Sequence, residues 1–287
     1  MRETAVVFLA IVFALPVSAK ELPAGTFDNQ ACVECHDKET TELVSQWRAS
    51  VHAAPAPVAD CVACHGERHD GAAARARQND ACTPCHGGPE GSVVGSYVTS
   101  KHGVIATIEG NRWDWSRRLA EANYRAPSCA YCHLYDAQHD VGVGITPWDP
   151  LRRGDAAAIE KATDTVEDTC RDCHSPRYVG TLLAGGQRNM EIGHLKMREA
   201  QALLDSLGAS PAAAEDETGE VKELRRRIES MRSKSMKGLR HGIVHYSPDY
   251  LWWYGQAALD GDLLRVKAAV SRILRRQNLS GGSGRAR

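Results

Sequence analysis

Five copies of one pentad, Cys-x-x-Cys-His, use every cysteine of this 287-residue chain: Cys32/Cys35/His36, Cys61/Cys64/His65, Cys82/Cys85/His86, Cys129/Cys132/His133 and Cys170/Cys173/His174. The spacing is that of covalent c-type haem attachment, in which two thiols add to the porphyrin vinyl groups and the adjacent histidine reaches the iron. Structural zinc would use paired Cys-x-x-Cys knuckles but would not require a histidine after each one. Disulfides would not impose a constant two-residue gap, and a thioredoxin-like redox pair occurs once per domain. The expected cofactor is heme c, five groups held covalently.

The amino terminus agrees with that chemistry, because thioethers form outside the cytoplasm. Met1-Arg2, an apolar run from Ala5 to Val17 and Val17-Ser18-Ala19 before Lys20 make the pattern of a cleaved secretory signal. The run is shorter than the ~20 residues a spanning helix needs. A periplasmic or otherwise exported protein, cut near Ala19, is therefore expected. Beyond that cut Phe27 is the only phenylalanine, so such a chain is short of ordinary large core side chains. Porphyrin faces would replace them. Lys and Arg total 35 against 36 Asp and Glu, a balance that supports no nucleic-acid partner.

Twelve histidines less the five of the pentads leave His52, His69, His102, His139, His194, His241 and His245. All methionines after the signal segment, Met190, Met197, Met231 and Met236, follow the last pentad, so bis-histidine ligation and low potentials are expected for most haems. A fifty-residue echo helps to assign ligands: Cys32, Cys35, His36, Trp47, Ser50 and His52 recur as Cys82, Cys85, His86, Tyr97, Ser100 and His102. This marks His52 and His102 as axial ligands of a duplicated module, not necessarily to the haem of their own module. His69 and His139, each followed by Asp, read as ligands donated to neighbouring haems, against a plain reading as surface histidines on turns.

The pattern divides the chain into a signal segment (1–19), a pentahaem-binding domain (20–176) and a haem-free helical domain (177–287). The fold class is mainly α, with little sheet, a haem-packed core and long carboxy-terminal helices. Helices are expected at Thr41–Ser50, at Asn189–Leu207 stopped by Gly208, around Val221/Leu224/Ile228/Met231, and over Tyr250–Arg275. Loops are expected at Gly87-Gly88-Pro89, Ile145-Thr146-Pro147 and Ala209–Gly219, with a frayed tail at Gly281–Arg287. The Val221 stripe, with Arg225, Arg226 and Arg227 opposite, would pack on the haem domain or form a subunit contact in a homo-oligomer.

Four stretches resemble the multihaem hydroxylamine oxidoreductase family and its octahaem relatives. They are Ser100-Lys101-His102-Gly103 with Trp113/Trp115; Ala126–His133 with His139-Asp140-Val141; Cys170–Ser175; and Arg240-His241-Gly242 through Ser247-Pro248-Asp249-Tyr250 to Trp253-Tyr254-Gly255. The resemblance covers about residues 97–260. It implies closely stacked haems in a helical fold, His102, His139 and His241 as distal ligands, and carboxy-terminal helices used in oligomers. Family enzymes carry eight haem motifs with catalysis at the fourth. The last three motifs here look like the family's last three, so the three missing ones would include the catalytic motif. The family also has a tyrosine after the last motif that cross-links to a neighbouring subunit's haem. Tyr250 is the nearest candidate, Tyr246 the next, and without that haem Tyr250 reads better as a packing residue.

Two main functions follow. One is an electron-transfer cytochrome, relaying electrons between redox partner proteins such as other cytochromes or a quinone-linked membrane complex. The other is a hydroxylamine oxidoreductase-like or nitrite reductase-like enzyme with one open haem, whose catalytic candidates are His245, Asp249 and Tyr250. A haem-bearing subunit or extracellular polymer is a third class. The ligand surplus and the missing catalytic motif favour the first.

Overall fold

The computed structural model describes residues 23–54, 58–87, 91–118, 121–141, 156–208 and 219–282. The expected signal segment, the Ile145-Thr146-Pro147 loop and residues 209–218 of the expected Ala209–Gly219 loop lie outside them, as do Gly88 and Pro89. The pentad-bearing half runs through α1 (Asn29–Glu39), α2 (Thr41–Ala49), α3 (Cys61–His65), α4 (Ala72–Ala76), α5 (Thr83–His86), α6 (Ser92–Val98), α7 (Lys101–Glu109), α8 (Cys129–His133) and α9 (Ala156–Arg171). The remainder is α10 (Pro176–Gly208), α11 (Gly219–Ser230), α12 (Met236–Val244), α13 (Pro248–Tyr250) and α14 (Ala257–Gly282). Among the described residues β-structure amounts to one isolated bridge between Thr26 and Arg68. No described helix is long and apolar enough to cross a membrane.

Each pentad is a helical turn. Side chains at i, i+3 and i+4 share one helix face, so a turn at Cys-x-x-Cys-His sets two thiols and an imidazole side by side. Short caps start these turns where the chain has little length for anything more. The Asp28 carboxylate accepts from Ala31 N (2.9 Å), Asp60 from Ala63 N (2.8 Å), and the Ser128 hydroxyl from Tyr131 N (3.3 Å). The fifth pentad closes α9, where His174 N donates to Cys170 O at 2.9 Å.

Apolar packing is concentrated elsewhere. Met190, Ala200, Leu204 and Leu207 of α10, Leu224 and Ile228 of α11, Leu239 and Ile243 of α12, and Leu259, Leu263, Val266, Val270 and Ile273 of α14 form one core with Met231. In the pentad-bearing half the buried cluster is Ala106, Trp113 and Ala126, edged by Tyr97, Ile105, Trp115 and Tyr124. The Val221 stripe therefore faces the carboxy-terminal half's own core, rather than the haem domain or a second subunit. The helix expected at Asn189 begins instead at Pro176. Its first turn is stabilised by Ser175, whose hydroxyl and carbonyl accept from Tyr178 N (3.4 Å) and Val179 N (3.1 Å). That helix runs through Gly185 and Gly186, because burial of Gly186 within it offsets weak glycine propensity. The last helix extends to Gly282, into the expected tail, after a π-helical turn at Leu251–Gln256. The two halves meet where α6 lies on α12: Thr99 Oγ1 and Ser247 Oγ share a hydrogen bond of 2.9 Å.

Candidate haem-ligating site

Four pentad histidines face a second imidazole. Ring centroids are 6.0 Å apart for His36 and His69, 6.2 Å for His65 and His139, 6.2 Å for His86 and His52, and 6.0 Å for His174 and His102. Two imidazoles bound to opposite sides of one iron have centroids about 6.2 Å apart, since each ligating nitrogen lies about 2 Å from the metal and about 1.1 Å from its own ring centre. The four pairs match this spacing and are too far apart for ring stacking in van der Waals contact. The residues present therefore fit a haem iron at four pentads. Interplanar angles differ: 4° and 10° for the first two pairs, 60° for His86/His52 and 34° for His174/His102.

The pairing follows no local order. His52 and His102, sixteen residues after their own pentad histidines, face the third and fifth pentads. His69 and His139 face back to the first and second. Hydrogen bonds orient several rings: His65 Nδ1 is 3.2 Å from Ala72 O, and His139 Nδ1 is 2.7 Å from Ala137 O. A carbonyl can only accept, so each Nδ1 carries the proton and each Nε2 presents a lone pair, the form that binds a metal. Burial lowers the pKa of His52, His65, His102 and His133, which keeps these rings neutral.

His133 of the fourth pentad differs: among the described residues no histidine ring stands at that spacing from it. The structure does not bring His241 to a pentad imidazole. It is buried on α12 against the Ser92 backbone, its pKa lowered to about 4 by burial and by Arg240 and Lys237. His245 follows α12, its Nδ1 2.7 Å from Ser96 Oγ and its ring edge-on to Tyr97 at 6.3 Å. Burial, then His133 and His241, lower its pKa to about 3. The other two catalytic candidates do not join it: Asp249 is exposed, and Tyr250 is buried in a stack with Tyr254 at 4.5 Å. Tyr246 is hydrogen-bonded to the Cys170 thiol, and His194 lies on α10.

Consecutive pentads are neighbours. Burial raises the pKa of most of the thiols, and successive pentads act on one another: a Cys82–Cys129 hydrogen bond raises Cys82 and lowers Cys129, while Cys32 repels Cys61, Cys82 and Cys85 repel Cys64, and Cys170 and Cys173 repel Cys132. The Tyr131 hydroxyl bridges the fourth and fifth by donating to Asp172. Sequence reasoning missed the residues that join pentads. Asn29 Oδ1 accepts from Cys61 N (3.1 Å) and Asn79 Oδ1 from Cys129 N (2.9 Å). Both asparagines stand three residues before a pentad and fifty residues apart, so the echo already contained them.

A family description, "Seven times multi-haem cytochrome CxxCH", matches residues 56–213. A curated protein of Kuenenia stuttgartiensis named "Probable nitrite reductase-hydroxylamine oxidoreductase fusion protein" is 26% identical over 368 residues, covering 87% of this chain and 43% of that protein. The chain thus spans less than half the length of this relative. Among solved structures, a reducing HAO-like protein complex of Kuenenia stuttgartiensis superposes with a TM-score of 0.57 at 17% identity, over 88% of this chain and 87% of that one. A "Hypothetical multiheme protein" gives 0.57 at 15% identity, over 78% and 59%. At these identities the likeness is one of fold, and the fold is the mainly α multihaem one expected.

Proposed function

We propose, from the premise that this chain belongs to the multihaem cytochrome family, that it is an exported pentahaem c-type cytochrome carrying electrons along a low-potential, mostly bis-histidine haem chain. The observation that carries this reading is the set of four imidazole pairs at 6.0–6.2 Å. A haem supplies one reversibly exchanged electron at its iron when bound. The protein's part is to hold and tune. Ten thiols would anchor the groups, four histidine pairs would hold irons and exclude substrate from them, and imidazole in place of methionine would keep potentials low. The unbroken file of neighbouring pentads supports a relay from one end of the pentad-bearing half to the other. Redox partner proteins would load and unload it, either other cytochromes or a quinone-linked membrane complex. A homo-oligomer is compatible with the exposed Trp252, Trp253 and Tyr254. Export rests on the Met1–Ala19 pattern and on where thioethers form.

A second reading has its own support. His133 lacks an imidazole at the paired spacing, and the curated relative's name includes nitrite reductase and hydroxylamine oxidoreductase. An enzyme of either kind would keep one open iron at the fourth pentad. Low-temperature electron paramagnetic resonance of the oxidised holoprotein separates the two. The carrier shows low-spin ferric signals alone and negligible turnover of hydroxylamine or nitrite. A high-spin signal together with turnover would establish the enzyme.

A further inference from the structure

We propose that His245, through Nε2, is the second axial ligand of the iron at the fourth pentad, and that Ser96 is the positioning residue that aims it. The inference deepens the carrier reading and rests on its premise that the pentads hold haem.

The fifty-residue duplication continues into three dimensions. In the first module Trp47 Nε1 donates to Ala59 O at 3.0 Å, two residues before the second pentad. In the second module Tyr97, the equivalent aromatic, donates to Pro127 O at 2.8 Å, two residues before the fourth. Asn29 and Asn79 make the equivalent bonds to the same two pentads. The residue before the aromatic then decides the matter. Gln46 Oε1 accepts from His139 N at 2.9 Å, and His139 is the ring facing His65 of the second pentad. Ser96, fifty residues on, holds His245. The second module thus holds His245 where the first holds His139, Ser96 meeting the ring where Gln46 meets the main chain, and His133 of the fourth pentad is among the charges that act on the His245 ring.

Tautomer and backbone agree with this equivalence. Ser96 Oγ donates to Val93 O at 2.8 Å, so toward His245 it accepts. Nδ1 of His245 therefore carries the proton and Nε2 the lone pair, as in His65 and His139. The non-glycine residues with positive φ among those described are Asp136, Ala137 and Tyr246, and each lies within three residues of one of these two histidines. Strain of this kind persists only where surrounding structure over-determines it. His241 has no counterpart to this support: its Nδ1 is buried without a hydrogen-bond partner.

The test compares His245→Ala, His241→Ala, His245→Met and Ser96→Ala in the holoprotein, by intact mass, paramagnetic resonance and redox titration. His245→Ala should keep every covalent haem and add one high-spin signal, whereas His241→Ala should add none. His245→Met should stay low-spin and raise the potential of one haem. Ser96→Ala should stay low-spin and raise the potential of the same haem by a smaller step, because Nδ1–H loses its acceptor and the imidazole becomes a weaker donor. A high-spin signal from His241→Ala alone, or no change in any variant, would overturn the assignment. If the wild-type spectrum is wholly low-spin in that case, the carrier reading survives with another ligand. A wild-type high-spin signal that persists in all variants overturns both. Should His245→Ala fail to accumulate, unchanged potentials in His245→Met and Ser96→Ala would overturn the proposal.

Discussion

At the scale of single residues, the two echoing histidines have different neighbours from those their spacing suggests. His52 faces His86 with planes crossed at 60°, while His36 of its own module lies nearly parallel to His69 at 4°. The anisotropy of a low-spin ferric signal depends on the angle between its two imidazole planes, so these sites are spectroscopically distinct. His52→Ala is expected to remove the signal of the crossed pair, create a high-spin one and leave the parallel-plane signals intact. Loss of a parallel-plane signal instead would return His52 to its own pentad. Asn79→Ala should cost about 1 kcal/mol by removing the acceptor for Cys129 N, read as a lower melting temperature with all haems retained.

At the scale of elements, the helix leading to His245 is held by close backbone approach. A Cβ on Gly242 would overlap Leu251, and one on Gly238 would overlap the Tyr254 carbonyl, so α12 and the π-helical turn Leu251–Gln256 cross with no room for a methyl group. Gly242→Ala should therefore destabilise by about 1–3 kcal/mol through overpacking, despite the better helix propensity of alanine. A thermal melt measures this, and an unchanged or raised melting temperature would mean that the crossing can yield. The histidine-bearing segments begin more gently. Buried Ser50 and Ser100 accept from His52 N (3.2 Å) and Gly103 N (3.1 Å), so the same residue of each module sets the start of the turn that presents its histidine.

At the scale of the whole molecule, the two halves are stabilised by different materials. The carboxy-terminal half has a core of leucine, isoleucine, valine and methionine from four helices, whereas the pentad-bearing half buries few such side chains. Chains produced without haem attachment should lose structure only in the latter. Limited proteolysis would then release a resistant fragment beginning near Pro176, and equal degradation of both halves would count against a cofactor-supported core. The attached protein should show the mass of five haems and no reactive thiol, since all ten cysteines belong to pentads.

What the sequence determined by itself is local chemistry. Cys-x-x-Cys-His works within one helical turn, so its position, its cofactor and the helical class could be read from spacing alone. The same holds for His52, His69, His102 and His139 as candidate ligands. Which iron each one would serve was not legible, because the rings that face each other lie 33 residues apart in His36/His69, 34 in His52/His86, 74 in His65/His139 and 72 in His102/His174. Such distances are closed by packing, and nothing in a local pattern encodes them. His241 and His245 stand four residues apart on and just beyond one helix, and the family resemblance marked the first as a distal ligand and left the second as a catalytic candidate. Only the tertiary structure separates them, because Ser96 and Tyr97 come from a helix about 150 residues earlier and meet one ring and not the other.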